Sequence, residues 1–418
     1  MKIKFIYKII LSIISIAMAT NTFAQKDLLK TLMESKPEQF AKILAGQDKY
    51  EVQIIYTQID RNKNNKPSFK TYSYALDADH YFYPASTVKL PACVLALEKI
   101  NNLNVPGLNK ETSMLTGASG YRQTAVKNDS SAKNFLPSVS NYAKKILMVS
   151  DNDAFNRLFE FVGQKDFNEK LWKKGYKNLR IVHRLQSGNT PEENAHTNPI
   201  YFYNGQDIVY KQDSAYNPKS FFPTVPIKKG IGYIGTDDKL VNEPLDFTKK
   251  NYFSLADQHN ILKAILFPDA VKAKSRFNLT ADDYTFLHKY MSQMPTQSVE
   301  PVYDKKEFYP TYCKFLFYGS EPQAVLSPNI KIFNKVGDAY GFLIDNAYII
   351  DFDKGIEFLV SVVIHCNEDQ IYNDDKYDYD TVGYPFMKNL GQLLYDYELK
   401  RVKKNKPDLS KFIMKYDN

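Results

Sequence analysis

Apolar residues recur at helical spacing from Asp27 to Leu44 (Leu28, Leu29, Leu32, Phe40, Ile43, Leu44), and the Ser35-Lys36-Pro37 turn between them predicts one or two short helices. Tyr50 to Ile59 alternates and is β-branched, Asp60 to Pro67 is polar, and Phe69 to Ala75 alternates again, the pattern of a hairpin. A helix is predicted to open at Ser86. Ser138 to Val149 forms the next, with Tyr142, Ile146 and Leu147 on one face, and a third runs from Asp153 through Phe161. From Gln186 to about Lys250 no period is sustained, so this stretch reads as a long irregular excursion. Helical spacing returns at Leu255–Leu266 and Ala281–Met294.

The C-terminal third holds strands over Asn329–Lys335, Phe342–Asp351 and Ile356–His365, the last two joined by the turn Asp353-Lys354-Gly355, and Tyr379 to Lys403 closes as an amphipathic helix. Strands at both ends and helices between them predict an α+β fold of three α/β/α layers. One antiparallel sheet is built from about 25–83 and 325–418, with a helical lobe inserted over about 84–324.

The first 24 residues change the picture of where this domain begins. Lys2, Lys4 and Lys8 precede an apolar run from Ile9 to Met18 and then Thr22-Phe23-Ala24, which reads as a secretory signal cleaved after Ala24. The run is short for a membrane span. Gln25 rather than cysteine follows, so nothing suggests a lipid anchor, and the expected location is periplasmic or secreted. Loss of the three lysines would lower the net charge of +8 to about +5. That charge is dispersed, with no basic stripe between stacking aromatics, so nucleic acid is not an expected partner. With 44% hydrophobic residues the remaining chain can bury a large core in residues 25–418.

Cys93, Cys313 and Cys366 are an odd number for an exported chain, leaving at least one thiol unpaired. Cys93 falls on the apolar side of the Ser86 helix, and a Cys313–Cys366 bridge is sterically open but unsupported. The six histidines show no metal-ligand spacing, and the acidic, tyrosine-rich Asp375–Asp380 lacks calcium-loop spacing, so no metal or cofactor is expected.

Chemistry is suggested by three short pieces in a fixed order. Ser86-Thr87-Val88-Lys89 puts a hydroxyl and an amine three residues apart, within reach of one another on a helix. Ser150-Asp151-Asn152 joins two helices and, taken alone, would equally serve as a helix cap. Lys335-Val336-Gly337 stands just before a strand hairpin and alone could simply end a strand. Together they resemble the signature set of the class A β-lactamase and penicillin-binding-protein superfamily, S-x-x-K, S-D-N and K-T-G. The neighbouring text at Pro84–Lys89, Met148–Asn156 and Tyr340–Ala347 is similar as well.

That resemblance implies a β-lactamase/transpeptidase-like fold and a serine hydrolase working through an acyl-enzyme. Ser86 would be the acylated nucleophile and Lys89 its proton acceptor. Ser150 would pass a proton to the leaving nitrogen, with Lys335 stabilising charge beside it. Asn152 would hold a substrate amide oxygen, Gly337 and Asp338 would join it in binding the substrate, and the N–H groups of Ser86 and Asp338 would form the oxyanion hole. Lys89, desolvated beside Lys335, would have its pKa lowered.

The chain also departs from the pattern. Val336 replaces the hydroxyl residue that helps bind a substrate carboxylate, and Asp338 would repel an anion if it faced the cleft. No E-x-x-L-N follows Ile181-Val182-His183-Arg184-Leu185; Glu192 and Glu193 are the nearest acids and fit a solvated turn. The implied substrate is a β-lactam or related peptide-like amide. Two further readings stay open: a cell-wall D-Ala-D-Ala-type peptidase or esterase with weak β-lactam turnover, and a non-catalytic cell-wall-binding module.

Overall fold

The computed structural model describes residues 28–120 and 123–417; the leader assigned to residues 1–24 lies outside the described residues. One antiparallel sheet of five strands forms the middle layer. We number its strands β1 (Gln53–Arg61), β2 (Pro67–Tyr74), β3 (Ile330–Ala339), β4 (Phe342–Asp351) and β5 (Ile356–His365). The order is β3-β4-β5-β1-β2, so β1 lies between β2 and β5, the last strand of this sheet in sequence, with Gln53 opposite Val363 and Gln58 opposite Phe358.

Alternation explains why the sheet sits between two helical layers. On β5, Phe358, Val360, Val362 and Ile364 enter a core with Leu29, Met33, Phe40, Leu390 and Leu394, whereas Leu359 and Val363 enter a second core with Val88, Ala92, Phe155 and Phe159. The first core is covered by residues 28–34 and the helices Pro37–Ala45 and Tyr384–Lys400. The second is covered by the inserted lobe, with helices Lys89–Leu103, Val139–Val149, Asn152–Val162, Gln164–Lys174, Leu255–Leu266 and Ala281–Ser292. Every residue of β4 and β5 is buried, as strands covered on both faces require. Among the described residues no helix is long and apolar enough to cross a membrane.

Several expectations are corrected. Residues 186–250 are irregular only in part: coil and turns, such as 213–227, alternate with one short helix and several short strands. Ile200–Asn204 pairs with Asp207–Gln212 and Ser113–Thr116, Gly232–Ile234 with Leu240–Val241 and Ile371–Tyr372, Lys228–Lys229 with Leu245–Asp246, and Tyr252–Phe253 with Leu179–Arg180. These strands are two to six residues long, too short to show a period, and most partners are remote in sequence. The α-helix expected from Ser86 starts at Lys89, behind a 3-10 turn over Ala85–Val88. Pro91 gives the reason: an α-helix begun at Ser86 needs an N–H at 91 to bond the carbonyl of Thr87, whereas at the third helical position that N–H is dispensable. β3 runs through Lys335 to Ala339, so the Lys-Val-Gly triplet is inside a strand. The last helix begins at Tyr384, after a π turn over Tyr379–Gly383, with Pro385 in its first turn. Cys93, Cys313 and Cys366 are all free and buried, and no Cys313–Cys366 bridge forms.

A buried ion pair ties the two ends of the chain across the sheet. Arg61 at the end of β1 meets Glu357 on β5 through Nε–Oε1 at 2.6 Å and Nη2–Oε2 at 2.7 Å, and the Tyr348 hydroxyl donates to Glu357 Oε2 at 2.7 Å. Glu357→Ala leaves the Arg61 guanidinium buried without its acid, and we expect a loss of about 3–5 kcal/mol of folding stability. Urea unfolding checks this; a loss below about 1 kcal/mol contradicts it.

Candidate active site

The turn that presents Ser86 is strained and tightly held. Ala85 adopts φ 47°, a region that residues bearing a Cβ seldom occupy, and it is buried. Thr87 clamps the turn, donating to the Pro84 carbonyl from its N–H at 3.1 Å and its hydroxyl at 2.7 Å. From Tyr81 to Leu90 only Ser86 keeps some exposure, so the turn delivers one hydroxyl to the cleft from an otherwise buried stretch. The Lys89 N–H bonds back to the Ser86 carbonyl.

Lys89 is fully buried and Lys335 nearly so, and among the described residues neither forms an ion pair. Both converge on Ser150. Lys335 Nζ lies 2.8 Å from the Ser150 Oγ and 2.8 Å from the Val336 carbonyl; Lys89 Nζ lies 3.2 Å from the same Oγ and donates to the Ser150 carbonyl. No hydrogen bond joins Lys89 to the Ser86 hydroxyl, so the direct contact expected from the three-residue spacing is not made at rest. Ser150 itself takes the left-handed conformation, φ 61°, where the helix Val139–Val149 ends, and so turns both its oxygens toward Lys89.

Burial pushes the Lys89 amine well below its ordinary pKa and the nearby charge of Lys335 lowers it further, against the pull of Asp151 and Asp338. Lys335 is lowered too, by burial, with Cys313 and Asp338 opposing. Two ammonium groups without acids are expensive at one hydroxyl. Both amines donate to the Ser150 Oγ, and Lys89, whose pKa is pushed down further, is the one that gives up its proton more readily.

β3 places the remaining groups by its two faces. Lys335 and Gly337 face the helical lobe, whereas the Val336 side chain belongs to the opposite core with Leu343, Ala347 and Ile349. The missing hydroxyl at 336 is therefore on the face away from Ser150. Gly337 lies against the Ser86 turn: a Cβ there would stand 2.9 Å from the Ser86 N, 3.0 Å from the Pro84 carbonyl oxygen and 3.0 Å from the Thr87 N. Only glycine allows this approach. A two-residue turn, Tyr340 at φ 54° and Gly341 at φ 74°, makes Ala339 and Phe342 a hydrogen-bonded pair and leaves the Asp338 N–H outside the ladder. The Asp338 side chain is exposed and acts electrostatically on both lysines.

Asn152 opens the helix Asn152–Val162 while Asp151 caps it, Oδ1 accepting from the Ala154 N–H at 2.7 Å, so the capping role and the location beside the cleft coexist. The Asn152 amide donates to Gln186 Oε1 at 2.7 Å. The sequence reading missed Gln186. What holds it was legible in principle: Asn156 and Glu160, at helical spacing from Asn152, form a polar stripe on an apolar helix. Asn156 exchanges two bonds with the Leu185 backbone, at 2.8 and 2.9 Å, and Glu160 pairs with Arg184 at 3.0 Å. A cavity of about 330 Å³ lies between this stripe and residues 184–189.

Glu192 and Glu193 do not line that cavity. Glu193 accepts from the Thr190 N–H at 2.6 Å to cap the short helix Pro191–Ala195, and Glu192 meets His196 at 3.3 Å. Glu160 does line it, but its carboxylate is engaged by Arg184 and the Asn198 N–H.

The groups surrounding Ser86 that can move a proton are thus amines and a second hydroxyl, and fold and cleft together define a serine hydrolase. Its family follows from the whole chain: a family model described as the β-lactamase enzyme family matches residues 37–397, and the protein belongs to that family. Comparison with curated proteins finds no match. Among solved structures, a β-lactamase from Xanthomonas campestris pv. campestris aligns at 13% identity over 87% of this chain and 98% of its own, with TM-score 0.49. The TLA-1 extended-spectrum β-lactamase aligns at 13% over 90% and 99%, TM-score 0.48. A protein described as PBP-A aligns at 13% over 89% and 95%, TM-score 0.47.

Gly337→Ala forces either β3 or the Ser86 turn to yield, since all three obstructing atoms are backbone. Overpacking of this kind costs about 1–3 kcal/mol, and a displacement near 1 Å slows chemistry on the order of 10²-fold. Thermal unfolding and the rate of Ser86 labelling by a fluorophosphonate measure the two effects; an unchanged labelling rate contradicts the close-approach argument.

Proposed function

We propose that the protein is an exported hydrolase that acylates Ser86 with the carbonyl of a β-lactam or related peptide-like amide and frees the acyl group slowly. The reading is carried by the convergence of Lys89 and Lys335 on the Ser150 hydroxyl, at 3.2 and 2.8 Å, in the same site as the half-buried Ser86. Neutral Lys89 takes the Ser86 proton as Oγ bonds to the carbonyl carbon. The oxygen gains negative charge, met by the N–H groups of Ser86 and Asp338, each such donor being worth about 2.7–4 kcal/mol in the transition state. As the C–N bond breaks, the proton passes from Lys89 through Ser150 to the leaving nitrogen, and the Lys335 charge holds Ser150 in place. Water later hydrolyses the ester.

Slow release is favoured by one observation: the group that meets the Asn152 amide is the carboxamide of Gln186, which has no basic lone pair to activate water. The reading thus leans toward a cell-wall peptidase rather than an efficient β-lactamase. Retention of five buried or half-buried polar site groups opposes the non-catalytic alternative.

Purified protein incubated with a fluorescent penicillin should carry one label on Ser86 by mass spectrometry, lost in Ser86→Ala. The wild-type ester should persist for many minutes, and Gln186→Glu should shorten its life at least tenfold. No label in folded protein from either the penicillin or a fluorophosphonate defeats the hydrolase reading, and rapid nitrocefin turnover by the wild type defeats slow release.

A further inference from the structure

A second cavity, of about 390 Å³, adjoins the site through Tyr83, Gln186 and Tyr340. Its walls come from the segments that carry the reacting groups. Tyr83 lies three residues before Ser86, Tyr340 is in the turn that ends β3, and Gln186 is bonded to Asn152. The far wall is Lys249 and Lys250, from the stretch that joins the small strand Leu245–Asp246 to Tyr252–Phe253. Tyr83, Tyr340 and Gln186 thus connect this space to the turn that carries Ser86, to the end of β3 and to Asn152.

The charge there is unbalanced. Among the described residues neither Lys249 nor Lys250 forms an ion pair. Lys250 is half-buried, with its Nζ 3.0 Å from the Tyr340 hydroxyl and 4.9 Å from the centre of the Tyr340 ring, so it is positioned but not neutralised. Arg184 is taken by Glu160, and Asp246 accepts from the Thr248 N–H at 2.7 Å. His183 adds no charge: burial first, and Lys250 as well, push it down to about 4. Its Nδ1 donates to the Arg184 carbonyl at 2.6 Å, and its ring stacks on Tyr83. The cavity is therefore a polar, aromatic-walled space with one oriented cation, Lys250, and among the described residues no acid pairs with it; Asp246 is the one carboxylate in its lining.

We propose that this cavity is the acyl-side specificity subsite and that it selects substrates bearing a carboxylate there, held by Lys250 against Tyr340. The proposal rests on the reading of Ser86 as the acylated serine, but its test does not require turnover. A carboxylate that is partly desolvated beside an ammonium gains a charge-assisted hydrogen bond, stronger than a neutral one. It also completes an ion pair that the folded chain leaves open.

The test measures binding of two non-reactive probes, N-succinyl-glycinamide and N-butyryl-glycinamide, which differ by a carboxylate in place of a methyl group, using NMR titration of the full-length protein. We expect the succinyl compound to bind at least tenfold tighter, the preference to shrink as salt is raised, and the ratio to fall to about one in Lys250→Gln. Lys250→Arg, which keeps the charge, should retain most of the preference. Equal binding of the two probes, absence of binding by the succinyl compound, or a preference that survives Lys250→Gln each overturns the proposal. Fluorophosphonate labelling of Ser86 in the same samples reports on the nucleophile separately, so failure of one reading is not mistaken for failure of the other.

Discussion

The molecule is organised around one unfavourable arrangement: two lysine side chains buried with no acid between them, both directed at the hydroxyl of Ser150. Desolvating two ammonium ions costs several kcal/mol each, and their repulsion adds to it. The least costly resolution is for one of them to release its proton. Lys89, the more deeply buried, is the one pushed furthest. Because its pKa is lower folded than unfolded, the folded chain binds fewer protons than the unfolded one between those two values. Stability therefore rises with pH across that window, the signature of a group held neutral at a cost.

Such an arrangement persists only if the surroundings are rigid. The helix that carries Lys89 is apolar nearly all round and lies in the core between sheet and lobe, so the ammonium has no route to solvent. Lys335 is fixed by strand register, Lys335 opposite Asn346 and Gly337 opposite Ile344, and a shift by one residue would turn it into the other core. Ser150 is fixed by a left-handed residue at a helix end. Gly337 then brings the edge strand onto the backbone of Ser86, so that three separate stretches of chain share one small volume.

Much of this was legible in the sequence because the signals were local. The strands expected over 342–351 and 356–365 match β4 and β5 residue for residue, and the amphipathic spacing at 255–266 matches the helix there. The three motifs pointed at residues that the fold does bring together. What was not legible depends on distant pairing. The strands between 200 and 253 are stabilised by partners such as Ser113–Thr116 and Ile371–Tyr372, so no window of sequence contains them. Val336 shows the same limit on a finer scale: its missing hydroxyl looked like a loss to the cleft until the pleat put that side chain on the other face. Gln186 and Lys250 were unremarkable letters in a stretch without period, and they matter only because Asn152 and Tyr340 stand beside them.

The central claim is that burial beside Lys335 holds the Lys89 pKa well below that of an ordinary lysine. Direct titration of its side chain by heteronuclear NMR, with labelled lysine and assignment by Lys89→Arg, measures this. The account predicts a midpoint well below the ordinary lysine value of 10.5. A midpoint at or above 10.5, with Lys89 charged throughout the physiological range, would contradict it.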